Sequence, residues 1–138
     1  MAEPNYWALL ADPDDYGWDQ LVEQGRAVWD GIKNARAQNK GRRCAVGDRA
    51  LIYHTAPDKA VVGIARIAGA ARPDPRAEGR VVVDVEPDRP LERRLPLAEL
   101  KADDVLSGMS FVRMPRVAVQ PITAEQWARV LELSGTTR

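Results

Sequence analysis

Residues 47–71 read GDRALIYHTAPDKAVVGIARIAGAA, and the way this stretch is divided decides the fold. Gly47-Asp48 is a turn signal, after which Arg49 to Thr55 alternates: Ala50, Ile52 and His54 take one side of a strand, Leu51, Tyr53 and Thr55 the other. Ala60 to Ala71 carries the β-branched Val61, Val62, Ile64 and Ile67 around Gly63, which predicts a long strand bulged at that glycine. Working outward, Tyr6 to Leu10 reads as a buried strand stopped by Asp12-Pro13-Asp14-Asp15, and the loop Pro73-Asp74-Pro75 leads to Val81–Glu86 and Arg93–Leu97, two strands separated by the turn-like Pro87–Pro90. Arg116 to Pro121 is a last strand. Helical patterns fall at 18–24 before Gly25, at 34–43, at 97–101, and after a Thr123/Gln126 capping box, where Trp127, Val130 and Leu131 share one face up to Gly135. This is an α+β pattern: a small β-barrel flanked by short helices, with a helix at the C-terminal end.

At 138 residues the chain is of the size of one domain, read here as 1–138. Twenty basic and twenty acidic residues cancel, which excludes a polybasic binder and leaves any affinity for nucleic acid to a local patch. Cys44 is the only cysteine and His54 the only histidine, so an intramolecular disulfide is excluded and a zinc site of the usual kind is not expected. Those two residues lack any signature of a thiol nucleophile with its base, no glycine-rich phosphate loop is present, and Asp14-Asp15 and Asp103-Asp104 are adjacent acids suited to solvated turns. The expectation is no catalytic residue, no cofactor and no metal. No run is long and apolar enough to span a bilayer, and nothing at the N-terminus resembles a signal core, so a cytoplasmic protein with no membrane partner is expected.

Residues 27–39, AVWDGIKNARAQN, fit a core helix poorly, since only Val28, Trp29 and Ile32 are large and apolar. Asp30 and Gly31 are poor core residues, and a glycine lets a backbone approach a ligand closely. Lys33, Arg36, Lys40, Arg42 and Arg43 follow within eleven residues that hold no acid, so the neutral total hides a basic face. Trp7, Trp18 and Trp127 sit in apolar patterns and are assigned to the core.

The series Tyr6-Trp7, Asp12-Pro13, Trp29-Asp30-Gly31-Ile32-Lys33-Asn34, Ala37-Gln38-Asn39, Gly47-Asp48, Tyr53-His54-Thr55, Val62-Gly63-Ile64-Ala65, Pro73-Asp74-Pro75, Val83-Asp84-Val85 and Val119-Gln120-Pro121-Ile122-Thr123 resembles the EVE-domain family, a branch of the PUA-like superfamily related to the YTH readers. The resemblance runs from residue 6 to about 133. It implies a PUA-like pseudo-barrel of about five or six strands and a pocket for a modified base of DNA or RNA. On that basis Trp29, Asp30, Gly31, Asn34, Tyr53 and His54 would line the pocket, and Lys33, Arg36, Lys40, Arg42 and Arg43 would meet the phosphates. Arg80 stands where many relatives carry a tryptophan, and Gly17 where a serine is frequent. The expected activity is non-catalytic recognition of a modified base in nucleic acid. The alternatives are a PUA-like RNA-binding module without that specificity, and a small enzyme or binder of a free small molecule using the same pocket.

Overall fold

The computed structural model describes residues 5–14, 16–29, 44–73, 81–113 and 119–136. Its strands are β1 (Tyr6–Ala11), β2 (Ala27–Trp29), β3 (Arg49–His54), β4 (Ala60–Pro73), β5 (Val81–Pro96) and β6 (Val119–Ile122). Helices α1 (Trp18–Gln24), α2 (Leu97–Ala102), α3 (Ser110–Arg113) and α4 (Ala124–Ser134), with a 3₁₀ turn at Leu106–Gly108, complete the described elements. The strands form one mixed sheet in the order β2-β5-β4-β3-β1-β6, curled into a half-barrel. β1 lies parallel to β3 and antiparallel to β6, and the remaining pairs are antiparallel.

Strand alternation divides the buried residues into two clusters on opposite sides of the sheet. One holds Trp7, Trp18, Leu21, Trp29, Ile52, Val62 and Val83 and is covered by α1; the other holds Leu51, Tyr53, Ile64, Leu100, Phe111, Trp127 and Val130 and is covered by α2, α3 and α4. Trp7, Trp18 and Trp127 are all core residues, as their apolar patterns predict. The expected bulge at Gly63 is present: the β3–β4 register passes from Ile52↔Gly63 to Tyr53↔Val61, so Val62 is the extra residue. A close approach explains the glycine, because a Cβ there would lie 2.7 Å from the Trp18 ring.

One expectation is corrected. Val81–Pro96 is one strand rather than two separated by a turn, because Pro87 and Pro90 lie at irregular steps opposite Ala65 and Gly63. β2 reaches only Val83–Val85, so beyond it β5 has, among the described residues, no partner needing the N–H groups that the prolines lack. Ala27–Trp29 is a strand, too short to show a period of its own and formed by pairing with β5. The last strand is described over Val119–Ile122, one residue past its expected end at Pro121, and its expected start at Arg116 lies outside the described residues. The helix expected at 34–43 lies outside the described residues.

Candidate functional site

The chain leaves β1 through Asp12, whose side chain accepts the Asp14 N–H at 2.9 Å and whose carbonyl accepts the Tyr16 N–H at 2.8 Å. These bonds close a tight turn that aims Tyr16 and α1 back over the sheet. α1 ends at Gly25 in the left-handed conformation, φ 75°, which sends the chain straight into β2. The two turns bring Tyr16 and Trp29, on either side of α1 in sequence, into edge-to-face contact at 6.2 Å and 85°. Trp29 closes β2, the edge strand, opposite Val83 of β5; it is 8% exposed and shares its cluster with Trp18, Ala27 and Val83. The Tyr16 hydroxyl donates to Gln24 Oε1 at 2.8 Å, and burial pushes its pKa above the ordinary phenol range, which keeps it a neutral donor.

The strand-end pair Tyr53-His54 divides between the two faces. Tyr53 is buried in the α2–α4 cluster against Phe111, at 4.8 Å between ring centroids, so the structure does not bring it together with Trp29. His54 points to the α1 side, where Nε2 accepts the Trp18 N–H at 2.9 Å and Nδ1 meets Asp58 Oδ2 at 2.9 Å. Both ring nitrogens are therefore committed within the chain. Asp30, Gly31, Asn34 and the cations Lys33, Arg36, Lys40, Arg42 and Arg43 lie outside the described residues. Further along the chain Asp48 is buried and accepts from Trp7 Nε1 at 2.9 Å, the Asn5 N–H at 3.0 Å and the Ala45 N–H at 2.9 Å.

The acids of β5 beside β2 are compensated. Asp84 receives both Arg72 Nε and Nη2 at 3.2 Å, with Arg26 at 3.7 Å, and the hydrogen bond from Arg72 holds its pKa below the usual carboxylate range despite partial burial. Glu86 pairs with Arg26 and Arg66, and Asp88 with Arg66 and Arg49. Gly69 admits this arrangement, since a Cβ there would meet Asp84 Oδ2 at 2.7 Å. Sequence reasoning overlooked Tyr16, Asp58 and the buried role of Asp48; of these only Tyr16 left a signal, as the residue before Gly17 in the turn. Among the described residues no cluster of three His, Cys, Asp or Glu side chains is placed to hold a metal ion, and no helix is long and apolar enough to cross a membrane.

Comparison with known proteins adds a consistent set of similarities. The model of the EVE domain matches residues 5–133. Thymocyte nuclear protein 1 of Danio rerio is 31% identical over 171 aligned positions, covering 96% of this chain and 74% of that protein. A solved structure of a Rhodopseudomonas palustris protein superposes with a TM-score of 0.90 at 37% identity, over 95% of this chain and 93% of the other. The human THYN1 protein, solved in complex with DNA containing 5-methylcytosine, superposes with a TM-score of 0.83 at 24% identity, over 97% of this chain and 99% of the other.

Proposed function

This chain belongs to the EVE-domain family, and from that premise we propose that it is a non-catalytic nucleic-acid-binding module that recognises a modified base. The six-stranded half-barrel is the PUA-like fold that the family resemblance implies. The observation that carries the reading is the aromatic corner of Tyr16 and Trp29 at the edge strand, immediately ahead of the cation-rich segment 33–43. A protein that inspects one base must take it out of its stack and hold it on an aromatic face. Stacking on one ring is worth roughly 1–3 kcal/mol, so a second contribution is needed, and phosphate contacts from Lys33, Arg36, Lys40, Arg42 and Arg43 supply it. Trp29 is 8% exposed and held in the cluster with Trp18, Ala27 and Val83, so little side-chain freedom remains to be lost when the accessible part of its ring meets a base. The human relative bound to 5-methylcytosine DNA supports the choice of ligand class.

The test compares Trp29→Ala with wild type on matched oligonucleotides carrying 5-methylcytosine or cytosine. The wild type is expected to prefer the modified strand and the variant to lose about 1–3 kcal/mol of that affinity. Equal affinities in all four combinations overturn the pocket. Replacing Arg36 and Arg42 is expected to weaken both strands alike and to flatten the salt dependence.

A further inference from the structure

α1 has seven residues and starts without a capping side chain, because Gly17 precedes it in extended conformation. The first N–H groups of a helix lack intrahelical acceptors and need partners from elsewhere. Gly17 N–H is met locally by Gln20 Oε1 at 3.0 Å; Trp18 N–H is met by His54 Nε2 at 2.9 Å, from the end of a strand 36 positions further along the chain. Gly17 leaves the room for this, since a Cβ there would stand 3.1 Å from Nε2. The imidazole thus takes the place of the missing cap.

The bond also decides which form of the ring is present. A nitrogen that accepts an N–H carries a lone pair, so the proton of the neutral imidazole is on Nδ1, where it is donated to Asp58 Oδ2. An imidazolium has two donors and no acceptor, and its Nε2–H would face the Trp18 N–H. His54 is buried, so solvent offers little relief. The charged groups in the surrounding elements are Asp58 and Lys59 in its own turn, Asp12 and Asp14 in the turn before α1, and Asp19 and Glu23 on α1; among the described residues only Asp58 is within hydrogen-bond distance of the ring. Asp58 meets the ring at Nδ1 and offers nothing to an orphaned Trp18 N–H.

What hangs from this contact is the aromatic corner. Trp18 and Leu21 of α1 enter the same cluster as Trp29, and Tyr16, two residues before Trp18, stands edge-on to the Trp29 ring. We propose that His54 is a positioning residue for the base pocket and acts only as the neutral Nδ1–H imidazole: a second proton removes the acceptor that holds the start of α1, frees Tyr16 from Trp29, and weakens base recognition on acidification while leaving phosphate contacts in place. This rests on the base-reading function proposed above and assigns His54 to the wall behind the pocket rather than to the base.

His54 is the only histidine, so its ring signals need no variant for assignment. Nitrogen-15 NMR of the wild type is expected to show the neutral ring with Nδ1 protonated and Nε2 bare, and the Trp18 amide to move in step with the ring when acid protonates it. As the ring gains its second proton the preference for 5-methylcytosine over cytosine is expected to fall about two- to tenfold, the value of one hydrogen bond. His54→Gln, whose carbonyl oxygen accepts without titrating, is expected to show a preference independent of pH. An Nε2–H ring, or a Trp18 amide that ignores the ring's titration, overturns the inference even if the variant fails to fold. A wild-type preference that stays level through the titration does so as well. No preference at any pH, with the expected ring and amide signals, sinks the base-reading premise and leaves the His54 cap standing.

Discussion

The two faces of the sheet are closed in different ways. Over the Trp127 face, α4 is capped by its own sequence: Thr123 Oγ1 accepts the Gln126 N–H at 3.0 Å, Gln126 Oε1 accepts the Thr123 N–H at 2.9 Å, and Gly135 ends the helix with φ 70°. Trp127 is stacked on Tyr6 at 4.9 Å and lies beneath the Arg49 guanidinium. Over the Trp29 face, α1 is shorter and depends for its start on a histidine from a distant strand. The difference teaches that one face is closed from local signals, while the other is held by a long-range contact. Recognition is proposed for the second face.

The comparison is broken or sharpened by substitutions on each side. Phe111→Ala, in the α2–α4 cluster at 1% exposure beside Tyr53, is expected to cost about 3–5 kcal/mol in urea unfolding and to leave base preference unchanged in the folded protein. A lost preference with stability intact would reverse the roles of the faces. Gly63→Ala drives a methyl group into the Trp18 ring, and an overpacking loss of about 1–3 kcal/mol is expected, visible in urea unfolding with an altered near-ultraviolet tryptophan signal. An unchanged signal would show that α1 is not packed as described. Thr123→Ala removes the local cap of α4 and is expected to lower stability by about 1 kcal/mol, again with base preference intact.

The smallest effect belongs to Asp84. Its pKa is lowered in the folded protein, so the stability it contributes is present above its unfolded pKa and is lost as pH falls through the folded one. Asp84→Asn is therefore expected to be less stable than wild type at about pH 7, by no more than about 1 kcal/mol for a pair whose Arg72 is largely exposed, with the gap closing as acid protonates the wild-type carboxylate. A gap that widened in acid would contradict the pairing.

Much of the fold was legible because its signals are local. The alternation in Arg49–His54 assigned residues to opposite faces correctly, Gly63 marked the bulge, Gly25 and Gly135 marked helix ends, and Thr123 with Gln126 marked a helix start. The strand β2 was not legible, since three residues have no period and their ladder is supplied by β5. Nor was the continuity of β5, where two prolines read as a turn until β4 shows the irregular steps that accommodate them. At the candidate site the sequence singled out Trp29 and the cations after it, but not Tyr16 as the ring against Trp29; the strand alternation already set Tyr53 and His54 on opposite faces, whereas the family resemblance put both at the pocket.

The sequence by itself determined the strands that alternate, the helices that carry their own caps, the absence of an intramolecular disulfide and the family, because each depends on residue type and spacing alone. Only the tertiary structure decided that His54 serves α1 and that Tyr16 meets Trp29. Hydrogen-bond partners and ring contacts between residues far apart in the chain depend on where the backbone returns, and no local pattern encodes that.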